Sequence, residues 1–121
     1  MPIIPITISY GLRKFNVEAL IDSGANICFC QQEFIRELGV EREKCRKISV
    51  TGVGGSTDVL VHKLDVELEY GKFKFTTDVG FGPFIFHGFT FILGQRGFFE
   101  NVSVFFDRKK EHIDLHLPKE I

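Results

Sequence analysis

Tryptophan is absent from this chain, methionine occurs once, proline four times and cysteine three times in 121 residues. Cys28, Cys30 and Cys45 are odd in number and form no Cys-x-x-Cys unit, so neither a disulfide framework nor a zinc knuckle is indicated, and a reducing compartment is expected. Cys28 and Cys30 stand two apart, hence on one face of a strand, and read as small buried hydrophobes. A marked excess of charge of either sign is missing too. Fifteen basic and 16 acidic residues leave a formal net charge of -1, scattered along the chain, which argues against nucleic acid or an anionic lipid surface as partner. No window approaches the roughly 18 apolar residues of a membrane span. Met1-Pro2-Ile3-Ile4-Pro5 has no basic segment leading into a long apolar run, so no membrane association and a cytoplasmic location are expected. No linker or low-complexity stretch interrupts the chain, and residues 1–121 are expected to form a single domain.

What the chain has in quantity is alternation. Ile6, Ile8 and Tyr10 alternate with Thr7 and Ser9; after Gly11-Leu12-Arg13-Lys14, Phe15, Val17, Ala19 and Ile21 alternate again, which predicts a β-hairpin. A short strand is expected over Ile27 to Cys30. Phe34, Ile35 and Leu38 then recur at helical spacing within Gln31 to Leu38, with Gly39 placed as a C-cap. Ile48-Ser49-Val50 and Val59-Leu60-Val61 flank Thr51-Gly52-Val53-Gly54-Gly55-Ser56, a hairpin with a glycine-rich tip. Leu64, Val66, Leu68 and Tyr70, a turn at Gly71-Lys72, and Phe73, Phe75, Thr77, Val79 and Phe81 predict a long half-exposed hairpin. Phe89 to Gly94 reads as a buried strand, Gln95 to Glu100 as a helical turn, and Val102 to Phe106 with Ile113 to Leu117 as a last hairpin. The fold class is all-β, a closed or partly closed barrel with a glycine-rich hairpin and one or two short helices.

The chemistry concentrates in one stretch. Ala19-Leu20-Ile21 runs as an apolar strand into Asp22-Ser23-Gly24-Ala25-Asn26, after which apolar residues resume. Placing a carboxylate at the end of a buried element is costly unless it is hydrogen-bonded or shares a proton. A faint echo occurs downstream: Phe89-Thr90-Phe91-Ile92-Leu93-Gly94 also ends an apolar strand at a glycine, without an acid. Two similar half-units packed about a pseudo-axis would explain the pair, one supplying the carboxylate and the other its support. For Asp22-Ser23-Gly24 alone the competing reading is an ordinary turn, since all three are turn formers.

These residues resemble the retropepsin-like aspartic proteases, the single-domain relatives of pepsin. Asp22-Ser23-Gly24-Ala25 is similar to the Asp-Thr/Ser-Gly-Ala motif, Gly52-Val53-Gly54-Gly55 to a flap tip, and Ile92-Leu93-Gly94 to the apolar-apolar-Gly element, all in the family's order. Phe98-Phe99-Glu100 and Val104-Phe105-Phe106-Asp107 look like the closing helix and strand of cellular and bacterial members. The resemblance implies an aspartic endopeptidase acting without metal or other cofactor. Asp22 is then catalytic, with Ser23 bonding across a two-fold axis and Gly24 admitting substrate backbone. Hydrolysis by this route needs one group to activate water and another to protonate the carbonyl oxygen, and two carboxylates sharing a proton do both. Asp58, Asp65, Asp78, Asp107 and Asp114 are not followed by Ser/Thr-Gly, so the second carboxylate is expected from Asp22 of a second copy, in a homodimer.

The substrate implied is an extended peptide with apolar side chains at the cleaved bond, covered by a flap spanning residues 50–59. Ala25, Asn26, Gly52, Val53, Gly54, Gly55, Phe84, Ile85 and Ile92 are expected at the substrate, Phe81 is available to line a pocket, and Leu93, Gly94 and Gln95 should support the site. Phe89 and Phe91 are expected in the core, Phe84 and Phe86 near substrate or partner. In retroviral members an acid after the motif pairs with an Arg after the Gly element. Here Asn26 and Gln95 occupy those places, and a hydrogen bond between them is expected to replace the ion pair, freeing Arg96. The termini, Met1 to Ile6 and Ile113 to Ile121, are expected in the dimer sheet. A phosphate loop at Thr51 to Ser56 is excluded by the missing Gly-Lys-Ser/Thr and following helix. His112 and His116 lie about 13 Å apart on a strand, too far to share a metal. The reading from a different class is a peptide-binding or dimerisation module that keeps the fold with little or no activity, which substitution of Asp22 separates from the protease.

Overall fold

The computed structural model describes residues 2–52, 55–68, 71–107, 109–110 and 112–118. Strands β1 (Ile3–Tyr10) and β2 (Arg13–Ile21) form the first hairpin, in antiparallel register from Ile3↔Leu20 to Tyr10↔Arg13. Gly11 folds it, with a φ of 61° that L side chains rarely adopt. Period two sends Ile6 and Ile8 inward. On the other face the Thr7 hydroxyl donates to Asn16 Oδ1 at 2.8 Å, a cross-strand pair that fixes register. After Asp22 to Ile27 come β3 (Cys28–Gln31) and helix α1 (Glu33–Leu38), which buries Ile35 and Leu38. The helix ends at Gly39, whose left-handed φ of 74° lets its N–H reach the Arg36 and Ile35 carbonyls.

The longer strands follow. β4 (Arg46–Gly52) and β5 (Gly55–Leu68) pair from Arg46↔Val61 to Gly52↔Gly55, and the tip, Val53 and Gly54, lies outside the described residues. β5 then pairs with β6 (Phe73–Gly82) from Leu60↔Phe81 to Leu68↔Phe73; Glu69 and Tyr70 also lie outside the described residues. Leu64, Val66 and Leu68 face Phe75, Val79 and Phe81 in the core. Phe81, expected to line a pocket, is 1% exposed and belongs to this core instead.

β7 (Phe91–Leu93) completes a sheet of order β1-β2-β7-β3-β6-β5-β4, and β5 pairs back onto β1 from Ile6↔Leu68 to Ser9↔Asp65. Six strands thereby close into a barrel, with β4 attached outside the closure. Closure removes most of the exposed strand edge that an open sheet would carry. The two echoing segments meet inside it: β2 and β7 lie parallel, Ala19 against Phe91, Leu20 against Ile92 and Ile21 against Leu93.

Gln95–Phe99 is not the expected regular helical turn. Arg96 is extended in ψ (125°) and Gly97 has a φ of 92°. The backbone there turns its Gln95 and Arg96 N–H groups to the carbonyls of Ala25 and Asn26. Gly97 also presses so closely on Thr77 that a Cβ would overlap the threonine side chain. β8 (Ser103–Asp107) and β9 (His112–His116) make a separate two-stranded sheet, registered from Ser103↔His116 to Asp107↔His112. Val104, Leu115 and Leu117 lean on the core, while Phe105 and Phe106 are exposed. No helix among the described residues is long and apolar enough to cross a membrane.

Phe81, Phe91 and Phe98 are the largest fully buried side chains, each stabilising the fold by about 1.5–3 kcal/mol through burial. Phe91 sits between β2 and β3. Phe91→Ala is expected to cost about 3–5 kcal/mol, a large part of a small domain's stability, because the cavity adds to the lost transfer energy; urea unfolding of the two proteins measures it.

Candidate active site

The Asp22 turn is made by backbone hydrogen bonds from both of its flanks. Asp22 N–H donates to the Leu93 carbonyl at 3.0 Å, continuing the β2–β7 pairing past its last residue. Ala25 N–H donates to the Asp22 carbonyl at 3.2 Å and closes the turn. Gly24 N–H donates to Asp22 Oδ1 at 2.9 Å, so the half-buried carboxylate is aimed by the loop it starts. A Cβ on Gly24 would lie 3.1 Å from that oxygen, tighter than ordinary contact.

From behind, the turn is held by the segment after β7. Gln95 N–H donates to Ala25 O at 2.8 Å, Arg96 N–H to Asn26 O at 3.0 Å, and the Gln95 side-chain amide to Ser23 O at 2.7 Å. This corrects the expected Asn26–Gln95 side-chain bond: the Gln95 amide is spent on the Ser23 carbonyl, and the exposed Asn26 amide makes no hydrogen bond among the described residues. Gly94 is compelled by sterics, since a Cβ there would collide with the Ile27 carbonyl and lie 2.8 Å from Ala25 O. Arg96 turns outward, its guanidinium 3.9 Å from Asp78.

Asp22 opens onto a cavity of about 360 Å³, in the range of small-ligand pockets. Ala25, Phe29, Ile92, Phe84 and Phe86 line it on the barrel side, and Val50, Thr51, Gly55 and Thr57 on the side of the β4–β5 hairpin. Among the described residues Asp22 is the only carboxylate in this lining. Two glycines flatten the wall: a Cβ on Gly80 would lie 3.0 Å from the Phe29 ring, and one on Gly82 2.8 Å from the Phe84 ring. On this surface Phe84 stacks on Phe86 and Phe86 on Phe89, with centroids 5.3 and 4.8 Å apart.

The structure brings Asp22, Ala25, Phe84, Ile92 and the hairpin residue Gly55 to one cavity, with Ser23, Gly24 and Asn26 on the turn beside it. Leu93 is fully buried behind them, and Gly94 and Gln95 carry the supporting contacts. Gly52 ends β4; Val53 and Gly54 are outside the described residues. Ile85 differs from expectation: it is 83% exposed and does not line this cavity, because an extended run points alternate residues apart and Phe84 and Phe86 take the inward side. Phe91 is core as expected, whereas Phe89 is half-buried and joins the aromatic stack. Phe29 was not anticipated. Its signal was its place between Cys28 and Cys30: where alternate neighbours are buried, the middle residue faces the other side.

Cys28 lies behind the turn, its thiol 3.7 Å from the Arg96 carbonyl, and burial pushes it up to about 11. Burial raises Cys30 further. Both are therefore protonated and inert as nucleophiles at neutral pH. On the β4–β5 hairpin, the Ser49 hydroxyl donates to Asp58 at 2.6 Å and, with Lys47, holds that carboxyl below its usual range. No group of three or more His, Cys, Asp or Glu placed to hold a metal occurs among the described residues.

The sequence pattern of the aspartyl protease family matches residues 4–95 of this chain. No curated protein sequence matches it. Among solved structures, EIAV protease complexed with the inhibitor HBY-793 is similar in fold, with a TM-score of 0.61 at 17% identity over 78% of this chain and 81% of that one. With its carboxylate turn, its apolar-apolar-Gly support and its six-stranded barrel in the retropepsin arrangement, the chain belongs to the aspartyl protease family.

Proposed function

We propose that the protein is a homodimeric aspartic endopeptidase in which Asp22 of two copies shares one proton and holds the attacking water. The observation that carries this reading is a carboxylate, aimed by its own turn, at the mouth of a cavity that holds no other charged side chain among the described residues. One carboxylate cannot both take a proton from water and give one to the carbonyl oxygen in the same step; two can. At about 3 Å like charges cannot both ionise, so the pair keeps one proton, and the same pair serves as base and acid. Ser23, exposed and without a hydrogen bond of its hydroxyl among the described residues, is free to bond the partner's backbone. The β4–β5 hairpin is the flap in this reading. It lies over an extended peptide, excludes water and leaves Phe29, Phe84, Phe86 and Ile92 to receive apolar side chains. Three free cysteines fit the cytoplasm as the place of action.

The second copy has a natural docking edge. β1 is bonded along its length to β2 but to β5 only from Ile6 to Ser9, so of the N-terminal stretch expected in the dimer sheet Ile3 to Pro5 keep one edge free of strand pairing among the described residues. The β8–β9 hairpin pairs with no other strand among the described residues and exposes Phe105 and Phe106 side by side in sequence. Two such hairpins joined edge to edge make a four-stranded sheet with Phe105 on one face and Phe106 on the other, each packing beside side chains of the partner's strand.

Cleavage of a quenched apolar peptide should fall by at least about a thousandfold in Asp22→Asn, with dimerisation retained, because both catalytic roles are lost together. Wild-type turnover should trace a bell against pH, falling on the alkaline side once the pair has lost its shared proton. Cleavage that survives the substitution removes this mechanism; a wild type that binds peptides but never cuts them points to a binding module. Phe105→Lys with Phe106→Lys should leave the fold intact, give a monomer by analytical ultracentrifugation at micromolar concentration, and lose activity with it.

A further inference from the structure

Asp78 stands on β6 next to Thr77, directly opposite Lys63 in the β5–β6 register. Its carboxylate, 19% exposed, is approached by three cations: Lys63 Nζ at 3.5 Å, Arg96 Nη1 at 3.9 Å and Arg46 Nη2 at 4.0 Å. These cations come from three different places. Arg46 is the first residue of β4, at the base of the hairpin over the cavity, Lys63 belongs to β5, and Arg96 belongs to the segment that holds the Asp22 turn. Among the described residues no other acid lies within 4 Å of any of the three.

Arg96 is gripped from two sides by neighbours on β6. Inside, the buried Thr77 hydroxyl donates to the Arg96 carbonyl at 3.4 Å; outside, Asp78 faces its guanidinium. Between these contacts the Arg96 N–H donates to Asn26 O and so fixes the catalytic turn.

We infer that Asp78 is a positioning residue: a common anion that locks the base of the β4–β5 hairpin and the support of the Asp22 turn to one point on β6. Each bridge taken singly is a surface pair of small worth. The arrangement matters because removing the anion leaves three cations facing one another, and their repulsion pushes Arg46 away from Arg96, separating the two elements that must close on substrate. The effect on turnover rests on Asp22 being catalytic; the effect on the support segment does not.

The test compares wild type, Asp78→Asn, Asp78→Glu and the double variant Arg46→Gln/Asp78→Asn. Steady-state cleavage and amide hydrogen exchange at Gln95 and Arg96 are measured at low and high salt. Asp78→Asn should lower kcat/KM by about 5–30-fold at low salt and speed exchange at both amides. Added salt should partly restore it, since screening at 1 M acts over about 3 Å and relieves cation repulsion. Asp78→Glu and the double variant should recover most of the loss, which a merely structural role of the Asp78 side chain would not produce. Unchanged exchange and turnover in Asp78→Asn overturn the inference. A wild type that cuts no peptide, with exchange responding as described, refutes the protease reading and supports this one.

Discussion

Asp22 donates its N–H to the Leu93 carbonyl where β2 and β7 run parallel, and the packing around the site follows from keeping those two strand ends in contact. Strands joined this way must stop together, and the chain leaving one must pass close behind the chain leaving the other. Only a residue without a side chain fits at Gly94, against the carbonyls of Ile27 and Ala25. That closeness lets the next two N–H groups, of Gln95 and Arg96, reach the outer carbonyls of the Asp22 turn. Fixed backbone donors thus set the loop, and the carboxylate inherits its direction from the loop.

The walls around the carboxylate are built from the same economy of side chains. Gly80 and Gly82 on β6 leave flat backbone on which the rings of Phe29 and Phe84 rest. A side chain at either glycine would push those rings into the cavity or out of the stack. The result is an apolar surface beside a charged group, where electrostatic interactions with a bound substrate are stronger than in water. The β4–β5 hairpin faces this surface with Val50 and threonines rather than charges, and keeps Ser49, Asp58 and Lys47 on its exposed side.

Much of this was legible in the alternation of apolar residues. The β1–β2 and β5–β6 hairpins follow from period two, and helix α1 from Phe34, Ile35 and Leu38 followed by Gly39. The Asp22 turn was legible because a charge ending an apolar strand needs a reason. A barrel was expected, but which strands close it was not, since Ile6 meets Leu68 from about 60 residues away and neither strand's pattern names its neighbour. The Gln95–Phe99 segment departs from the expected helical turn because its conformation is decided by Thr77 and by two carbonyls distant in sequence. Ile85 departs from expectation for a local reason: its neighbours Phe84 and Phe86 belong to the cavity, and in an extended run neighbours of inward residues point outward.

The register of β2 and β7 also decides where a second carboxylate could stand beside Asp22. With Ile21 opposite Leu93, the residue that comes next to Asp22 in the paired strand is Gly94. A second carboxylate from this chain would most naturally stand there, as the echo between the two segments suggests. The Ile27 carbonyl already occupies the place where its Cβ would go. Filling that position with an acid would break the contacts that hold the first one, so an acid at position 94 and the support of Asp22 are mutually exclusive. In the homodimer proposed above, a second copy would supply another carboxylate without disturbing Gly94, so the contacts that hold Asp22 and the pairing of two carboxylates are compatible there.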